Sequence, residues 1–163
     1  MTFEPHRPFR CLPVVAVLFA AIGCSSTDDA AGPTVPTPSA RAAGFCRALH
    51  KELPKSVDGL KRRTADPVSD FTAIWGDPAV RLRCGMPRPG VLTPGNEHYN
   101  ADVDGAEVNG VGWVLEKRPD GYRFTTTLRK TYVEVTVPGK YAPEIDVLTD
   151  LAAAVKKTVP FGL

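Results

Sequence analysis

No apolar stretch in the 163-residue chain is long enough to cross a bilayer, because the longest, Leu12–Ile22, has 11 residues and includes Pro13, whereas a spanning helix needs about 20. Charge of one sign is not in excess either. The chain carries 20 Lys and Arg against 18 Asp and Glu, and setting aside Glu4, Arg7 and Arg10 ahead of Cys24 leaves 18 basic and 17 acidic residues. Such a balance gives no electrostatic footing for nucleic acid. The one basic cluster, Lys61-Arg62-Arg63, lacks the interleaved aromatic residues that would stack bases and reads as a solvated surface turn. Histidine is scarce, at three residues. The chain holds no Gly-x-Ser-x-Gly elbow, no phosphate-cradling glycine loop, no His-Glu-x-x-His and no dinucleotide fingerprint. No catalytic residue, cofactor or metal set is therefore assigned.

What is present begins with an address. Arg7 and Arg10, the apolar run Leu12–Ile22 and the small-residue close Gly23-Cys24 follow the order of a bacterial signal peptide. Ala21-Ile22-Gly23-Cys24 resembles a lipobox, in which a small residue precedes a cysteine that receives diacylglycerol before cleavage. The resemblance implies a lipid anchor on Cys24. Ser25–Ala43 is built almost wholly from Ser, Thr, Asp, Ala, Gly and Pro, too apolar-poor to offset its ordering entropy and biased by proline toward polyproline II. At about 3.1 Å per residue this tether would hold a domain up to about 60 Å from the membrane. The expected organisation is a signal peptide over 1–23, a flexible tether over 24–43 and a single domain over 44–163. With 43% hydrophobic and 23% charged residues the chain has the composition of a folded protein.

Within the domain, Ala42, Phe45, Cys46, Leu49 and Leu53 fall at helical spacing and Pro54 ends the pattern, predicting a helix over about 42–53. A second helix is predicted after Pro143, with Ile145, Leu148, Leu151, Ala152 and Val155 on one face. Between them the period is two. Val80, Leu82 and Cys84 alternate with Arg81 and Arg83. Val111, Trp113 and Leu115 lead through Arg118-Pro119-Asp120-Gly121 into Tyr122, Phe124, Thr126 and Leu128, as a hairpin. Val133, Val135 and Val137 alternate with Glu134 and Thr136, and Met86–Asn100 reads as a long surface loop. The expected fold class is α+β: an antiparallel sheet of about four strands with an N-terminal and a C-terminal helix packed on one face.

Once Cys24 is acylated and Cys11 removed, Cys46 and Cys84 are the remaining pair, and in an oxidising compartment an even remainder points to one disulfide. The helix stripe that holds Cys46 and the buried strand face that holds Cys84 can meet. The competing reading is a thiolate–imidazole pair between Cys46 and His50, one helical turn apart. Asn100-Ala101-Asp102-Val103-Asp104-Gly105 starts like a calcium loop, but its twelfth position is Val111 where a bidentate glutamate is needed, and Glu107 falls at a non-liganding place. It reads as an acidic loop. His50, His98, Trp75 and Trp113 are expected in bland surface or core roles.

The set Cys46 with Leu53-Pro54, Ile74-Trp75-Gly76-Asp77-Pro78, Leu82-Arg83-Cys84-Gly85, Gly110-Val111-Gly112-Trp113, Phe124-Thr125-Thr126 and Val133-Glu134-Val135 with Val137-Pro138 resembles an actinobacterial family of secreted or lipid-anchored proteins, the domain-of-unknown-function family 3515. The resemblance spans about residues 45–160. It implies an extracytoplasmic location, places Cys46 and Cys84 at cysteine positions of the family pattern, and brings no activity or ligand. The functional expectation is a lipoprotein at the extracytoplasmic face of the cell membrane. It would serve as a non-catalytic binding or support protein for an envelope protein or cell-wall partner. The alternative is a small hydrolase acting on envelope material through carboxylates such as Asp102, Asp104 and Glu107 beside His98.

Overall fold

The computed structural model describes residues 1–2 and 33–162, so Cys24 and the expected signal peptide beyond residue 2 lie outside the described residues. Helix α1 spans Ala40–Glu52, two residues earlier than expected at its start, because Ser39 caps it by accepting from the Ala42 amide at 3.4 Å. At its far end the Leu53 amide donates to Leu49 O, and Pro54 follows. Eight strands come next: β1 (Ser56–Val57), β2 (Leu60–Arg63), β3 (Thr72–Trp75), β4 (Val80–Met86), β5 (Gly105–Val108), β6 (Val111–Arg118), β7 (Gly121–Thr126) and β8 (Tyr132–Pro138). Helix α2 closes the described chain over Asp146–Thr158. It starts three residues after Pro143, whose carbonyl accepts from the Asp146 amide.

The fold is α+β with two helices and one antiparallel sheet, but the sheet has eight strands rather than about four, in the order β1-β2-β3-β4-β8-β7-β6-β5. The four unforeseen strands lack the sequence alternation that marks the others. β1 has two residues and β5 is a four-residue edge strand, both too short to display a period. β3 is buried at all four positions, so its residues do not alternate. β2 coincides with Lys61-Arg62-Arg63, expected to be a solvated turn, and pairs through Arg62 and Arg63 with Trp75 and Ile74. The predicted hairpin is present as β6 and β7, closing at Arg118 and Gly121. Only glycine suits position 121, since its φ is +151° and a Cβ there would stand 2.1 Å from Val137 O.

One sheet face carries Val80, Leu82, Cys84, Val133, Val135, Val137, Phe124 and Trp113, and these join the apolar stripes of both helices in a single core. Trp75 and Trp113 are buried in it as expected. The segment ahead of α1 is more ordered than a tether would be. Residues 34–39 line a groove against Gly85, Met86 and Thr131, and Pro38 sits so near Gly85 that a Cβ on the glycine would lie 2.5 Å from it. The domain therefore starts well before residue 44.

Candidate functional site

The sheet face turned away from the helices is charged, and the strand register sets out its pattern. One row of directly opposed residues runs Arg63, Ile74, Arg81, Thr136, Arg123, Glu116 across β2, β3, β4, β8, β7 and β6. The adjacent row runs Thr72, Arg83, Glu134, Thr125, Val114. Opposed side chains on one face stand close enough to pair, and here guanidinium groups meet carboxylates. Arg83 donates from Nε at 3.0 Å and from Nη2 at 2.6 Å to Glu134 Oε1. Arg123 donates from Nε at 2.9 Å to Glu116 Oε2, from Nη2 to Glu116 Oε1, and lies 3.9 Å from Glu134 Oε2. Arg123 is held more firmly protonated by these two carboxylates, which outweigh the effect of its burial. Glu134 is only 6% exposed, so the ladder sits in the floor of the face, whereas Arg81 has no ion-pair partner among the described residues.

A cleft of about 640 Å³ opens at one end of this ladder, lined by His98, Asp104, Glu116, Arg118 and Arg123 among others. It brings together two of the groups considered for acid–base work, His98 and Asp104, and sets Glu116 beside them. Their engagements differ. Both oxygens of Glu116 are taken by Arg123, while His98 is 72% exposed and lies 3.5 Å from Glu97. Asp102 and Glu107 do not line this cleft. The loop that starts like a calcium site is closed on itself, with Asn100 Oδ1 accepting from the Asp102 amide at 3.0 Å. Among the described residues no three His, Cys, Asp or Glu side chains gather closely enough to hold a metal ion.

Cys46 and Cys84 form a disulfide with a Cα–Cα distance of 5.5 Å, joining α1 to β4. The thiolate reading of Cys46 is thereby overturned, and His50 has a different partner. Arg62 Nη2 lies 2.9 Å from His50 Nε2. A guanidinium only donates, so Nε2 accepts and the imidazole is neutral with its proton on Nδ1. Burial and the charge of Arg62 lower the His50 pKa from its ordinary 6.5, partly opposed by Asp70. A group whose folded value is depressed in this way contributes stability that is fully present above the unfolded value of 6.5 and is lost as pH falls through the folded value. NMR titration should place His50 below 6.5 with the Nδ1–H tautomer. Urea midpoints should fall on acidification below pH 6.5, and less steeply in His50→Gln, whose amide oxygen accepts from Arg62 without titrating. A His50 value at or above 6.5 would contradict the pairing.

The ladder was only half visible in sequence, since alternation puts Arg81, Arg83, Glu116, Arg123 and Glu134 on outward positions but does not tell which faces which. The chain matches the family model described as "Protein of unknown function (DUF3515)" over residues 10–162. It belongs to that family. No curated protein and no solved structure matches it.

Proposed function

We propose that this member of the DUF3515 family is an exported lipoprotein. Residues 1–23 act as its signal peptide, and a lipid on Cys24 holds it at the extracytoplasmic face of the cell membrane. There it serves as a non-catalytic binding or support protein for an envelope protein or cell-wall partner. The observation that carries the non-catalytic reading is the guanidinium–carboxylate ladder. Glu116, the acid that the sheet lends to the cleft beside His98, accepts bidentately from Arg123, and a carboxylate so paired is a poor general base. Arg81, which stands beside Thr136 and has no ion-pair partner among the described residues, leaves the face with spare positive charge for a partner. The Cys46–Cys84 bridge suits an oxidising compartment.

The docked residues 34–39 also revise the reach of the anchor. From Cys24 to Pro33 there are nine residues, which at full extension span at most about 32 Å, half of what a tether reaching to Ala43 would allow. The domain would work close to the membrane surface.

Mass spectrometry of the mature protein should find an acylated N-terminal Cys24, and Cys24→Ala should move the protein from the membrane to the soluble envelope fraction. An unmodified N-terminus at another residue would defeat the anchor. For the binding reading, a photocrosslinker in place of Thr136 in cells should capture one reproducible partner, with capture lost in Arg81→Glu. Turnover of a wall fragment by purified protein, abolished by Glu116→Gln without loss of fold, would replace it with the hydrolase reading, which the convergence of His98, Asp104 and Glu116 on one cleft favours.

A further inference from the structure

On the opposite side of the sheet edge, β2 stops pairing with β3 at Arg63 and Ile74, and a pocket of about 390 Å³ lies beside the unpaired end of β3. His50, Arg62, Arg63, Thr64, Ser69 and Thr72 contribute its polar lining, and no carboxylate is among the residues that line it. All six bear hydrogen-bond donors. Two of them are permanently cationic.

Arg62 is the unusual member. It is half-buried, and its polar contacts are the neutral His50 ring at 2.9 Å and Leu53 O at 3.5 Å, with the Trp75 ring 5.9 Å away. Of the other half-buried arginines of the sheet, Arg83 and Arg123 each grip a glutamate, whereas Arg81, like Arg62, has no ion-pair partner among the described residues. A guanidinium withdrawn from water without an anion is costly, and burial lowers the Arg62 pKa accordingly. The surroundings repeat the deficit. His50 Nδ1, which carries the ring proton, and the Oγ1 of Thr72, a residue 2% exposed, are both enclosed and have no hydrogen-bond partner among the described residues. Asp70, the carboxylate that acts on His50, is exposed and outside the lining.

We propose that this pocket is a binding site for a small oxyanion, a carboxylate or a phosphate, held by Arg62 and Arg63 and oriented by the Thr64 and Ser69 hydroxyl groups. Arg63 is the outer of the two cations. Its Nη1 donates to Gly76 O and stands 3.9 Å from the highly exposed Asp77, a contact that water weakens. Arg62 is the inner one, and the anion supplies the counter-charge that the protein does not. The site shares Arg63 and Thr72 with the margin of the charged sheet face but none of its guanidinium–carboxylate pairs, and it does not depend on the lipid anchor.

The test uses the full chain, titrated at constant ionic strength with inorganic phosphate and separately with acetate, while the His50 imidazole and the Ser69 and Thr64 amides are followed by NMR. Saturable shifts confined to these residues are expected with at least one anion. Charge-assisted hydrogen bonds of this kind correspond to about tenfold weaker binding when one is lost, so Arg62→Gln should raise Kd about tenfold or more. Arg63→Gln should raise it by several-fold, and because Arg63 is exposed that variant keeps the test alive if Arg62→Gln fails to fold. Preference for phosphate marks a tetrahedral ligand and preference for acetate a planar one, and either supports the site. Shifts that do not saturate, or that are equal in wild type and Arg63→Gln, mean non-specific ionic binding only and overturn it.

Discussion

Replacing Cys46 and Cys84 together by alanine is expected to lower the unfolding free energy by about 2–5 kcal/mol. The bridge closes a loop between residues 38 apart in sequence, for which the chain-entropy relation predicts about 4 kcal/mol. Both cysteines are enclosed in the main core, so the loss of two sulfur atoms adds to the same side. The cross-link also does a specific structural task. It fastens α1, whose inward stripe is only Ala43, Cys46 and Leu49, to β4 in the centre of the sheet. Urea unfolding of the wild type with and without reductant, compared with the double variant, measures the effect. Reductant should lower the wild-type midpoint toward that of the variant, which stays lower by the two missing sulfur atoms, and leave the variant unchanged. A wild-type midpoint indifferent to reductant, with two titratable thiols in protein isolated from the cell envelope, would show that the bridge is not formed there.

The same bridge shows what sequence patterning conveyed and where it stopped. Helical spacing at Cys46 and strand alternation at Cys84 each pointed one sulfur at the core, and the two stripes had one way to meet. The elements that were read correctly, α1, β4, the β6–β7 hairpin, β8 and α2, all bury one face and expose the other. That contrast is what periodicity detects. Thr72–Trp75 has no such contrast, being buried throughout. In β2 the cluster Lys61-Arg62-Arg63 looked like a solvated turn because three cations in succession rarely go inside. Arg62 does so by lying against Trp75 and handing a hydrogen bond to His50, contacts that depend on a helix distant in the chain. The charged ladder was hidden for a related reason. Alternation assigns Arg83, Glu134, Arg123 and Glu116 to one face, but β4 and β8 pair across some fifty intervening residues, and no local pattern specifies that register. At the C-terminal end of the expected tether composition misses a packing contact: residues 34–39 have few apolar groups, yet Pro38 finds a glycine to pack on.

Glu134→Ala is expected to be among the most damaging single changes to the described domain, at about 3–5 kcal/mol. Glu134 is nearly enclosed, accepts two hydrogen bonds from Arg83 through one oxygen, and presents the other to Arg123 at 3.9 Å. Removing it strands the Arg83 guanidinium, 25% exposed, on a face where the next residues along its row are Thr72 and Thr125. Neither offers a negative charge. Glu134→Gln keeps an acceptor for Arg83 and should cost less. The informative comparison is the joint replacement Arg83→Met with Glu134→Leu, which removes both charges and keeps the volume. If the cost of Glu134→Ala arises from the stranded cation, the joint variant should recover most of the lost stability, while Arg123 keeps its own grip on Glu116. The ladder would then be dispensable for folding, and its presence in the floor of the sheet would call for a role in recognition. The cross-link at Thr136 should accordingly weaken in the joint variant even though the domain remains folded. A Glu134→Ala midpoint within about 0.5 kcal/mol of wild type, the range of an ordinary surface change, would show that water reaches Arg83 and that the ladder is not an enclosed charge system.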